Sequence, residues 1–206
     1  MAEAEVQDHF LPRLGVALKV AIAQPKISTK NFIVVCEEVL PVFDHLGAVF
    51  SFAKLEFAAK NASLEKVAPQ LATLEEMVAA DKMKGVVTQK GSCARNLHRL
   101  LSAIIFIQTL IRELARSPDS TLKDAAAAAY NMALAPIHTR IVRGIVGAGL
   151  LTLPTKQTFL ARIGETQESA ENVAKELIPL VDTLVKSIHA LYDEPMPASN
   201  TWITSY

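Results

Sequence analysis

Apolar residues recur every three to four positions along almost the whole chain, and no stretch alternates apolar with polar. That period puts the apolar side chains on one stripe of a helix, whereas a half-buried strand needs a period of two. No Asn-Gly or Asp-Gly pair marks a hairpin. The pattern predicts an all-α chain, with helices at about 9–23, 29–66, 70–81, 91–116, 120–134, 136–149, 155–163 and 166–192.

Local chemistry sets the breaks. Pro25 precedes the second helix, for which Ser28 or Thr29 supplies an N-cap. Ser117-Pro118-Asp119-Ser120 and Leu153-Pro154-Thr155 interrupt the pattern. Pro41 and Gly47 fall inside the second helix and are expected to bend it. The run Asp124 to Tyr130 is mostly alanine, the strongest helix former. The tail leaves helical pattern at Pro195 and carries Trp202 and Tyr206, which suit either a disordered end or one docked on the domain.

With 206 residues, half of them hydrophobic, the chain can bury one sizeable core. Its 21 basic and 21 acidic residues balance, so bulk charge gives no hold on nucleic acid. Cys36 and Cys93 form no CxxC or Cys/His cluster and read as small buried thiols. The first residues are acidic where a signal peptide would be basic. The uncharged run Leu100 to Ile111 is too short for a bilayer. A soluble, cytosolic monomer without metal or cofactor is expected.

Three sets of polar residues fall on apolar faces. Glu56 and Lys60 share a face with Phe52 and Ala53, and Arg95 and Arg99 align with Phe106 above Ala103. On the predicted sixth helix, His138 lies between Leu134, Val142 and Ile145, with Arg140 and Arg143 on the other side. Each has an ordinary explanation: a surface ion pair, snorkelling arginines, a satisfied core histidine. If the three faces converge, however, Lys60, Arg95 and Arg99 outweigh Glu56. Such an excess is either open to water or completed by an anion. A phosphomonoester, with a charge of about −1.5 to −2, matches the deficit. Apolar residues beneath it suit a ligand with a greasy body.

The same residues carry a family resemblance. The stretches "VLPVFDHLGAVFSFAKLEFAAKNASLEK", "KGSCARNLHRLLSAI" and "AYNMALAPIHTRIVRGIVGAGLLTLPTKQTFL" resemble, in order and spacing, the signature blocks of the glycolipid transfer protein superfamily. The likeness is to its ceramide-1-phosphate-carrying branch, which includes the plant accelerated-cell-death proteins. It implies a two-layer helical sandwich enclosing a lipid pocket, with the headgroup site at its mouth. In the phosphate-binding branch "DxxxK" and "RxxxR" replace "DxxxN" and a tryptophan; here Glu56, Lys60, Arg95 and Arg99 hold those places. By that resemblance Lys60, Arg95 and Arg99 bind phosphate, His138 donates to the lipid amide carbonyl, and Glu56 accepts from the amide N–H and the sphingoid hydroxyl. Phe52, Phe106, Val142 and Ile145 would line the chain pocket.

Two positions depart from the family's pattern. Glu56 stands where aspartate is usual, and His138-Thr139-Arg140 replaces "HGW". Without that tryptophan, Arg140, Arg143 and Lys156 suggest a basic surface that docks on anionic membranes. The leading reading is non-enzymatic transfer of ceramide-1-phosphate or a similar phosphosphingolipid between membranes. A lipid sensor using the same site, a carrier of neutral glycosphingolipid, and an enzyme using His138 and Glu56 as acid and base remain as alternatives. The last lacks a nucleophile motif, metal triad or Gly-rich phosphate loop.

Overall fold

The structure, a computed structural model, describes residues 9–194 and Met196. Trp202 and Tyr206, on which tail docking would depend, lie outside the described residues. The chain is helical throughout: α1 (Phe10–Ala21), α2 (Thr29–Val39), α3 (Val42–His45), α4 (Ser51–Val67), α5 (Leu74–Met83), α6 (Cys93–Arg116), α7 (Leu122–Ala133), α8 (Arg140–Leu150), α9 (Lys156–Arg162) and α10 (Gln167–His189). Short 3-10 turns at Ala48–Phe50 and Ala135–Ile137 precede α4 and α8. Among the described residues there is no strand, only an isolated antiparallel bridge between Ser28 and Thr73.

The helices pack in two layers. In one, α1 lies against α2 and α2 against α4; in the other, α6 lies between α7 and α10. The layers meet where α10 packs on α1 and α4 on α6. The central helix, α6, buries Leu97, Leu100, Leu101, Ile104, Phe106, Ile107, Leu110, Ile111 and Leu114. Each such side chain contributes about 1.5–3 kcal/mol when fully buried. Its polar Gln108 is also buried, and donates to the Ile178 carbonyl at 3.0 Å and to Asp182 at 2.6 Å on α10. Pro179, inside α10, removes one backbone donor without ending the helix.

Two sequence expectations change. The single helix expected over 29–66 is broken into α2, α3, the first 3-10 turn and α4. Gly47 accounts for the sharpest break, since its φ of 104° lies where side chains clash with the backbone. Ser28 holds the N-cap position of α2 without a capping side-chain bond, and Thr29 instead donates to the Leu71 carbonyl at 2.8 Å. The second change concerns the helix expected over 136–149. A 3-10 turn ends at Ile137, His138 is extended, and α8 starts only at Arg140.

Candidate functional site: cations above an apolar floor

The first turn of α6 fixes the two arginines. Asp81 is buried and accepts the Ala94 N–H at 2.7 Å, while Ser92 caps the helix by accepting the Arg95 N–H at 3.2 Å. A carboxylate at a helix N-terminus satisfies an orphan donor and complements the helix dipole. Tyr192, just past α10, closes the same turn by donating to the Ala94 carbonyl at 2.6 Å. On α4, Ser63 donates to the Lys60 carbonyl at 2.6 Å and accepts from Asn96 of α6 at 2.8 Å. That bridge sets α4 and α6 in register beside the arginines.

Glu56, Lys60, Arg99 and His138 come together around one cavity, whose remaining wall is Phe43, Ala53, Phe57, Ala103, Leu134 and Ile137. One face of α4, one face of α6 and the extended linker at His138 therefore meet. Arg99 is buried at 8 % exposure, so it does not snorkel from the stripe edge. Burial first, and the neighbouring Arg95 second, push its guanidinium down to about 10. His138 is buried at 3 % exposure, and its Nδ1 lies 3.1 Å from the Tyr130 hydroxyl. Burial, then Arg99, Arg143 and Lys60, push the imidazole down to about 4, so it is neutral at physiological pH. Lys60 is paired with Glu56 at 2.5 Å. The cavity, open on one side, has a volume of about 50 Å³, far short of a lipid.

Several expected site residues lie away from the cavity or make other contacts. Arg95 is only half-buried, donates to the Thr88 carbonyl at 2.9 Å, and does not line the cavity. It reaches the site through its charge on Arg99. Phe52 and Ile145 are 58 % and 48 % exposed and enclose nothing. Phe106 and Val142 are buried but lie behind the cavity wall, Phe106 stacked on Phe50 with ring centroids 6.5 Å apart. Because α8 begins after His138, Arg143 does not face away from it: its Nε donates to the His138 carbonyl at 3.0 Å. Lys156, expected on the docking surface, directs its ammonium to the Leu114 and Ser117 carbonyls at 2.8 and 2.7 Å, closing the C-terminal end of α6.

Sequence reasoning missed Phe43, Phe57 and Tyr130. Phe43 reaches the cavity only because the chain breaks on both sides of α3. Tyr130 meets His138 across an irregular turn, where helical spacing gives no signal. Among the described residues no group of His, Cys, Asp and Glu is arranged to hold a metal. No helix among them is long and apolar enough to cross a membrane.

Residues 27–165 match the family described as glycolipid transfer protein. The chain belongs to this family. It is 33 % identical over 173 residues to an ACD11 homolog protein of Arabidopsis thaliana, covering 84 % of this chain and 76 % of that protein. A mutant of Arabidopsis accelerated-cell-death 11, solved in complex with C12 ceramide-1-phosphate, superposes with a TM-score of 0.84 at 26 % identity, covering 89 % of this chain and 94 % of that one. Human ceramide-1-phosphate transfer protein, in complex with 12:0 ceramide-1-phosphate, gives a TM-score of 0.79 at 25 % identity, with 87 % and 93 % covered. The all-helical, two-layer architecture is thus the family's fold.

Proposed function

We propose that the chain carries ceramide-1-phosphate, or a closely related phosphosphingolipid, between membranes without altering it chemically. The observation that carries this reading is the buried Arg99 beside Lys60 and neutral His138, above a floor of Phe43, Phe57, Leu134 and Ile137. A guanidinium taken out of water next to a second cation is stabilised by a bound anion. A phosphate supplies that anion, and a neutral sugar does not. Arg99 and Lys60 hold the phosphate, with Arg95 adding charge from one turn away. His138 and Glu56 read the amide and the sphingoid hydroxyl, and the acyl chains enter by parting the helices around the small cavity.

Docking on the membrane falls to the rim near this site. Ile141 and Ile145 of α8, which also carries the exposed Arg140, and Phe52 and Leu55 of α4 are exposed. The 3-10 turn leading into α4 packs on α8. Exposed large apolar side chains next to a cation suit insertion among anionic headgroups. Similarity to proteins solved with ceramide-1-phosphate supports the choice of ligand.

The test is Arg99→Gln, which removes the charge and keeps a shorter polar side chain. Binding of ceramide-1-phosphate, measured by titration with a fluorescent analogue, should weaken at least about tenfold, the scale of a lost charge-assisted bond. Transfer between vesicles should fall with it, while the circular dichroism spectrum stays that of the wild type. Undiminished binding in that variant rules the site out.

A further inference from the structure

The two residues that must face different parts of the ligand are bonded to each other in the structure. Lys60 Nζ lies 2.5 Å from Glu56 Oε2 and 3.3 Å from the Glu56 backbone carbonyl. Their side chains are only 17 % and 22 % exposed, so water screens the pair weakly. Lys60 cannot hold a phosphate, nor Glu56 an amide N–H, at full strength while this contact stands.

We propose that the Glu56–Lys60 pair is a two-key lock: a ligand opens it at low cost only by offering a phosphate to Lys60 and a hydrogen-bond donor to Glu56 together. The inference rests on the phosphosphingolipid reading above and explains how one site selects for both groups. A phosphate without a donor draws Lys60 away and leaves a half-buried carboxylate beside a new anion. A donor without a phosphate occupies Glu56 and leaves Lys60 without its counter-charge, near Arg99 and His138. A lipid that carries both groups exchanges one ion pair for two sets of charge-assisted bonds. The two recognitions are therefore non-additive, since each supplies what the other removes. Both side chains stand one turn apart on α4, so rotation about side-chain bonds opens the lock without moving the helix.

Selectivity then depends on the closed pair as well as on the ligand contacts. Phosphatidic acid has the phosphomonoester but no amide; ceramide has the amide and hydroxyl but no phosphate. The decisive variant is Glu56→Asp, which keeps the charge but shortens the arm by one methylene and loosens the pair. It should bind phosphatidic acid about two- to fivefold more tightly than the wild type, the scale of such an ion pair. The preference for ceramide-1-phosphate over phosphatidic acid should shrink by at least that factor. Unchanged affinity for phosphatidic acid in Glu56→Asp overturns the lock, because simple repulsion by the retained charge predicts no change.

A lipid-free measurement separates this inference from the choice of ligand. In the full chain, Lys60→Met must move the carboxyl ¹³C resonance of Glu56. If it does not, the pair is absent and the lock is overturned whatever the lipids do. A resonance that moves, in a protein whose wild type binds phosphatidic acid and ceramide-1-phosphate alike, retains the pair and overturns the selective phosphosphingolipid reading.

Discussion

His138 and His98 are both held neutral by their surroundings. For His138 the causes are burial, then Arg99, Arg143 and Lys60; for His98 they are burial, then Arg99 and His189. Each is pushed down to about 4 in the folded chain, while an unfolded histidine titrates near about 6.5. Between those values the unfolded state binds more protons, so stability rises with pH there. The stabilisation is complete above about 6.5 and is lost as pH falls toward 4. Chemical denaturation at pH 7 and pH 5 should therefore show a loss on the order of 1–2 kcal/mol per histidine at the lower pH. Replacing His138 by Asn should remove its share of that loss, and an unchanged pH slope in that variant contradicts the assigned environment. At this scale the sequence was most informative about Glu56, Lys60 and Arg99, because regular helices carry all three and spacing alone sets their faces. The surroundings of His138 were not legible, because it sits in an extended linker that helical spacing does not describe.

At the level of elements, α4 and α8 divide their circumference between cavity and solvent. Ala53, Phe57 and Lys60 of α4 line the site, while Phe52 and Leu55 stand exposed on the same helix. On α8, Val142 and Val146 are buried, and Ile141 and Ile145 are not. Double replacement of Ile141 and Ile145 by Ser should cut association with vesicles about tenfold or more, from the apolar area withheld from the membrane. The melting temperature should hold, because neither side chain is in the core. Vesicle association equal to the wild type moves the docking face elsewhere. The all-helical class and the breaks at Pro25, Pro118 and Pro154 could be read from the apolar period and from Pro, though eight helices were expected and ten are found among the described residues. Three features could not: the breaks around α3, the late start of α8, and the use of Lys156 to close α6. Each depends on which backbone carbonyls a neighbouring segment leaves to be satisfied, which is a tertiary fact.

For the whole molecule, balanced charge conceals a local excess. Lysines, arginines and acids cancel along the chain, yet Lys60, Arg95 and Arg99 gather at one end of the α4–α6 contact with Glu56 as the acid among the cavity residues. At about 50 Å³ the cavity is far smaller than a lipid, so on the proposed reading the acyl chains enter by separating parts of the two layers. Packed interiors resist small continuous deformation, which favours a discrete opened state held by the lipid itself. A cationic mouth, an apolar interior that must be filled, and an exposed apolar rim together describe a carrier of single amphiphiles. Native mass spectrometry of the full chain, after incubation with mixed vesicles containing equal ceramide-1-phosphate, phosphatidic acid, ceramide and a neutral glycosphingolipid, tests this most directly. The account predicts a one-to-one complex with unaltered ceramide-1-phosphate as the dominant adduct. A dominant glycosphingolipid adduct, or equal occupancy by phosphatidic acid and ceramide-1-phosphate, would contradict it.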